Sequence, residues 1–250
     1  MNDHPSKWYL FFDDGGVLND NEVRGHQWKE ILPEFFISRF GGTTQIWSRA
    51  NHRVMNELIR NLEQRWINQQ RPEDFHHFWD EFMTDWVSKM FNFAGIPLPD
   101  VDYVTLYKEV SNYVIPRVRS ANRGVPDTLL LLRERGFNLY TASGELSWEL
   151  EKYLTGMGCK DLFSDSYYGP DLINEGKFSS LFFRKIFQDV GIQPSYAIII
   201  DDNPYFLKYA QEAGASIIQS YINGVNKQTT KKVVYHFHEI PNRIYEIINC

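Results

Sequence analysis

At 250 residues, with 43% hydrophobic, 16% aromatic and 23% charged side chains, the chain suits one large domain or a domain carrying an insert, and collagen-like, low-complexity and disordered classes are excluded. Lys and Arg total 26 against 32 Asp and Glu, a net charge of -6, which argues against a nucleic-acid partner because such proteins show a basic face or domain. Two cysteines, Cys159 and Cys250, are too few for a disulfide framework and set a reducing, cytoplasmic compartment as the expectation.

The apolar run from Trp8 to Phe12 is short and aromatic-rich, and Asp13-Asp14-Gly15-Gly16 closes it. It reads as a buried strand entering a tight loop, and it is too short for a signal-peptide core. From residue 21 to 119 the pattern turns helical and aromatic: QWKEILPEFFISRF, IWSRANHRVMNELIRNLEQRWI, FHHFWDEFMTDWVSKMF and YVTLYKEVSNYVI. Breaks are expected at Pro33, at Gly41-Gly42, at Arg71-Pro72 and from Gly95 to Pro99, leaving a helical bundle. Its arginines 49, 53, 60, 65 and 71 stand against Glu57, Glu63 and the acidic run from Glu73 to Asp85, the pattern of a solvated helical surface. Most of its aromatics are expected in the bundle core, although a partner surface would use the same residue types.

After Gly124 helices and strands alternate: VPDTLLLLRERG, FNLYTAS, ELSWELEKYLTGMG, LFSDSYYG, SLFFRKIFQDVG, YAIIIDD, NPYFLKYAQEAG and ASIIQ. Val233 to Glu239 and Ile240 to Ile248 follow as an edge strand and a closing helix. This is the signature of an α/β fold, a Rossmann-like parallel sheet wrapped by helices. The first strand needs that same sheet to be buried, so the domains are predicted as a core of 1–20 plus 120–250 with 21–119 inserted. Cys159, in GMGCKDLF with no His nearby, reads as a structural thiol. No segment approaches the roughly 18 apolar residues of a membrane span, so no membrane partner is expected.

Ligands of open parallel sheets bind beyond the carboxyl ends of the strands. Candidate groups stand at those ends: Asp13, Ser143, and Asp201 with Asp202, while Lys177 lies in the loop DLINEGKFSS. Singly each has a plain explanation, Asp202-Asn203-Pro204 and Ser143 as helix caps and Lys177 as a surface cation. Together, acidic residues from two strand ends with a lysine and a hydroxyl make a site for a divalent cation and a phosphate.

With YLFFDDGGVLND, FNLYTAS, Lys177 in EGKFSS and AIIIDDN in this order, the whole chain resembles the haloacid dehalogenase-like hydrolase superfamily, in the subtype with a helical cap inserted after the first strand. The resemblance implies Asp13 as nucleophile, forming an aspartyl-phosphate that water hydrolyses. It implies Mg²⁺ held by Asp13, the Gly15 carbonyl and Asp201, with Asp202 as a direct ligand or through water, and phosphoryl contacts from Ser143, Gly144 and Lys177. The implied partner is a small phosphorylated metabolite, the protein acting as a monomer or homodimer.

One departure qualifies these matches. Phosphatases of this family carry a second Asp two positions after the nucleophile, as general acid and base, and Gly15 stands there. General acid catalysis contributes roughly 10² to 10⁴ in rate, so esters of ordinary alcohols are expected to turn over poorly unless a substitute exists. Asp14 should face away from Asp13, since neighbours on a strand point to opposite faces. Glu22, Arg24, His26 and Lys29, near the start of the helical block, are further candidates, His26 as an acid near neutral pH. Dehalogenases of the family lose the acidic pair that this chain keeps, phosphonatases use a cap lysine for which Lys29 is the early candidate, and a non-catalytic binding relative would also keep the metal groups and lose the acid.

Overall fold

A computed structural model describes residues 5–68, 75–224 and 226–249 of the chain. By internal contacts it divides into two compact units, one made of the residues up to Asn21 with those from Ser120 onward, the other spanning Glu22–Arg119.

In the first unit, β1 (Tyr9–Phe12) leads to the start of α1 (Asn21–Phe40), where the chain leaves. The helical unit continues with α2 (Thr44–Arg60), α3 (Leu62–Asn68), α4 (Phe75–Ala94) and α5 (Tyr103–Val114). Left-handed glycines end its helices where expected, Gly41 and Gly42 after α1 and Gly95 after α4. The expected break at Arg71-Pro72 lies outside the described residues. Pro33 does not break the chain but sits buried inside α1. A proline there removes the N–H that would bond the Lys29 carbonyl one turn back. Ser48 Oγ on α2 donates to that carbonyl at 2.7 Å, so the polar group is not orphaned. Aromatic rings fill the bundle: Phe36 stacks on Trp47 with centroids 4.4 Å apart, Phe91 meets both rings edge-on, and Trp79 stacks on Phe82 at 4.5 Å.

The chain re-enters the first unit and forms α6 (Val125–Glu134), β2 (Asn138–Ala142), α7 (Ser147–Gly156), β3 (Tyr167–Tyr168), α8 (Pro170–Ile173), α9 (Ser180–Val190), β4 (Ala197–Asp201), α10 (Pro204–Glu212), β5 (Ser216–Ser220), β6 (Val233–Val234) and α11 (Ile240–Ile248). The six strands form one parallel sheet in the order β3-β2-β1-β4-β5-β6. Side chains alternate between its faces, and helices cover both, which is why the strands read as unbroken apolar runs. Leu10, Phe12, Ile198 and Ile200 pack with α6 and α11, while Phe11, Ile199 and Ile217 pack with α9 and α10.

Two strand expectations shrink. LFSDSYYG yields only Tyr167–Tyr168 after a 3₁₀ turn at Lys160–Leu162, and Val233 to Glu239 yields only Val233–Val234 before a 3₁₀ turn at Phe237–Glu239. Both are edge strands, with one neighbour each to extend the ladder. Among the described residues no helix is long and apolar enough to cross a membrane.

Candidate active site

The sheet order reverses direction between β1 and β4, and in such sheets the crevice at that reversal is where ligands bind. Register sets what stands there. Phe12 pairs with Thr141 of β2 and Ile200 of β4, so the next residues, Asp13, Ala142 and Asp201, lie level at the carboxyl edge. The Asp13 amide still donates to the Ile200 carbonyl at 2.9 Å, so its side chain is placed by the sheet itself.

Lys177 arrives from a different direction. After α8, Asn174 adopts a left-handed conformation with φ 50° and turns the chain back, and Lys185 braces the turn by donating to the Asn174 carbonyl at 2.8 Å. The lysine side chain is 1% exposed. Its Nζ donates to Asp13 Oδ1 at 2.9 Å, Asp201 Oδ2 at 2.6 Å and the Ala142 carbonyl at 2.7 Å, and it lies 4.9 Å from the Phe206 ring centroid. A surface cation is excluded. Burial works against its charge, but the Asp13 and Asp201 carboxylates outweigh burial and hold the amine above the ordinary lysine range.

Asp13, Asp201 and Asp202 each offer a carboxylate oxygen within 4.8 Å of the others. Three carboxylates share one lysine, and two of them, Asp201 and Asp202, are held above the ordinary carboxylate range. Burial pushes Asp202 up to about 7, with repulsion from Asp13 and Asp201 added. Burial likewise pushes Asp201 up to about 6 against the pull of Lys177. A set of oxygen donors short of positive charge fits a hard divalent cation. Asp202 is not needed as a cap, because Asn203 Oδ1 accepts the Tyr205 amide at 2.9 Å with Pro204 in the first turn of α10.

Ser143 is buried, its amide donating to the Tyr168 carbonyl at 3.1 Å. Its Oγ accepts the Glu145 amide at 3.4 Å, which leaves the hydroxyl proton for a ligand. It does not cap α7, whose first amide, that of Ser147, donates to Asp171 Oδ1 at 2.8 Å. A Cβ on Gly144 would meet nothing within 4 Å, so space alone does not demand glycine there.

In the loop after β1 the left-handed glycine is Gly16 (φ 77°), not Gly15. A Cβ on Gly16 would lie 2.5 Å from Asp202 Oδ2. The signal for this close approach in the sequence is a Gly-Gly pair beside an acidic motif. Asp14 is fully buried and accepts from Asn19 Nδ2 at 2.6 Å, while Asn19 Oδ1 accepts from Ser120 Oγ at 2.7 Å. It stands outside the carboxylate cluster. Glu22, Arg24, His26 and Lys29 lie on α1, where His26 pairs with Glu30 at 3.3 Å on an exposed face.

A family model described as haloacid dehalogenase-like hydrolase matches residues 9–214. A 58-residue stretch is 36% identical to enolase-phosphatase E1 of Aquifex aeolicus (strain VF5), covering 23% of this chain and about a quarter (26%) of that relative. Among solved structures, the magnesium-bound putative hydrolase YfnB of Bacillus subtilis superposes with a TM-score of 0.69 at 17% identity, over 97% of this chain and 99% of that one. L-2-haloacid dehalogenase of Xanthobacter autotrophicus with covalently bound chloropropionic acid gives 0.61 at 13% identity over 95% and 98%, and CbbY of Rhodobacter sphaeroides in complex with phosphate gives 0.59 at 14% over 93% and 95%. At these identities the structures speak for the fold, and the family match over most of the chain makes this protein a haloacid dehalogenase-like hydrolase.

Proposed function

We propose that this hydrolase is a Mg²⁺-dependent phosphatase of a small phosphorylated metabolite, with Asp13 as the nucleophile and the helical unit as its cap. The observation that carries the reading is the Lys177 ammonium shared between Asp13 and Asp201, beside three carboxylates gathered within 4.8 Å. Lys177 anchors and aims Asp13, since an anchored carboxylate attacks without first reorganising. Asp13, Asp201, Asp202 and the Gly15 carbonyl are the groups to hold the cation, which when bound offsets repulsion between the carboxylates and a phosphate dianion.

The Asp13 oxygen attacks phosphorus, the bond to the leaving oxygen breaks, and water later releases phosphate from the aspartyl-phosphate. The Ser143 hydroxyl, the Gly144 amide and Lys177 donate to phosphoryl oxygens. Gly15 offers no proton, so the leaving group departs as an anion or takes its proton from solvent. Acyl and aryl phosphates, whose leaving groups need little protonation, are the favoured class.

The test is phosphate release from acyl, aryl and alkyl phosphates, with Mg²⁺ and with chelator, for wild type and Asp13→Asn side by side. Turnover is expected to require both the ion and Asp13 and to fall steeply towards alkyl phosphates. Wild-type protein that releases phosphate from none of them overturns the reading.

A further inference from the structure

The segment after β5 brings to the carboxylate cluster a residue that none of the sequence motifs contains. Gln219 is fully buried and pairs in register with Asp201. Its Nε2 donates to the Lys227 carbonyl at 2.8 Å, its Oε1 accepts the Thr229 amide at 2.9 Å, and its own amide donates to the Lys232 carbonyl at 2.9 Å. A strand residue beside the site thus holds the backbone at Lys227, Thr229 and Lys232. There Asn226 Nδ2 donates to Asp202 Oδ2 at 2.8 Å. The Gly16 backbone also approaches so closely that a Cβ there would lie 2.5 Å from that same oxygen.

Oδ2 of Asp202 therefore has a lone pair committed to Asn226, and the missing Cβ of Gly16 leaves the carboxylate its place beside that backbone. We propose that Asn226 is a positioning residue that restricts Asp202 to contact through one oxygen with the bound cation, and so sets the site's preference for Mg²⁺ over Ca²⁺. The inference rests on Asp13, Asp201 and Asp202 being a cation site. Mg²⁺ demands near-ideal octahedral geometry, whereas Ca²⁺ takes more ligands and readily accepts both oxygens of one carboxylate. Holding one oxygen back penalises the larger ion. Partners that orient metal ligands typically change affinity by 10- to 100-fold when removed.

The test is calorimetric titration of metal-free protein with MgCl₂ and, separately, CaCl₂, for wild type, Asn226→Ala and Asn226→Leu, with thermal melts of the metal-free proteins. Leu fills similar space without a donor, so an effect common to both variants follows the hydrogen bond. Both variants are expected to melt near wild type and to move the Mg²⁺-to-Ca²⁺ affinity ratio about tenfold towards Ca²⁺. An unchanged ratio, including an equal fall in both affinities, overturns the proposal while wild-type cation binding leaves the site reading intact. Wild-type protein that takes up neither ion overturns both.

Discussion

Replacing Lys177 by Met tests whether one buried ammonium holds the strand ends together. The amine sits 2.6 to 2.9 Å from Asp201 and Asp13, and at an effective dielectric of 20 each such contact carries about 6 kcal/mol of attraction. Most of that is offset by the cost of desolvating the ions, but removing one partner leaves the others buried without a countercharge, at a typical loss of about 3–5 kcal/mol. The Ala142 carbonyl also loses its donor. The loss should depend on pH, and its sign follows from Asp201. That carboxyl is already raised to about 6 with the lysine present, and without it the value rises further. A group whose folded value lies above its unfolded one contributes stability that is full below the unfolded value and is lost as pH rises through the folded one. The variant therefore recovers relative to wild type in acid. Urea unfolding of metal-free protein should show a deficit of about 3–5 kcal/mol near pH 8, falling to roughly half near pH 5.5. A deficit below about 1 kcal/mol at the higher pH, or the same deficit at both, would refute the account.

Gly16→Ala forces a left-handed conformation on a residue with a Cβ and drives that Cβ into Asp202, so urea unfolding should show a loss of at least about 1–2 kcal/mol and titration a weaker Mg²⁺ site. A variant as stable as wild type would mean the loop relaxes freely. Gly15 is not in the left-handed region, so Gly15→Asp should fold and should raise turnover of alkyl phosphates towards the 10²-fold or more that a general acid supplies. An unchanged rate in a normally melting variant would count against the missing-acid explanation. Cys159 is buried, and burial pushes its thiol up to about 11, so alkylation near pH 8 followed by peptide mass analysis should mark it only after unfolding. Labelling in the native state at the rate of a free thiol would contradict its burial.

Much of the fold was legible because period and punctuation are local. FNLYTAS and YAIIIDD announced strands by apolar content and by the polar residues that end them, and Gly41, Gly42 and Gly95 marked helix ends through conformations that other residues avoid. The candidate residues Asp13, Asp201 and Lys177 could be singled out because each sits next to such a boundary. Pro33 misled for the reciprocal reason: a proline is read as a break from its own chemistry, while its tolerance depends on Ser48, a residue of another helix, reaching the carbonyl it leaves behind. The edge strands β3 and β6 are shorter than their apolar runs because ladder length depends on the partner strand.

By itself, then, the sequence determined the alternation of strands and helices and pointed the acidic groups to one edge of a parallel sheet. Only the tertiary structure decided that Lys177 is shared between two carboxylates, that Asn203 rather than Asp202 caps its helix, and that Asn226 and Gly16 converge on one oxygen of Asp202. Periodicity and caps are written in neighbouring residues. Asn226 and Asp202 are 24 positions apart, and nothing local to an asparagine in a polar loop says which carboxylate it will meet until Gln219 and the sheet have placed it.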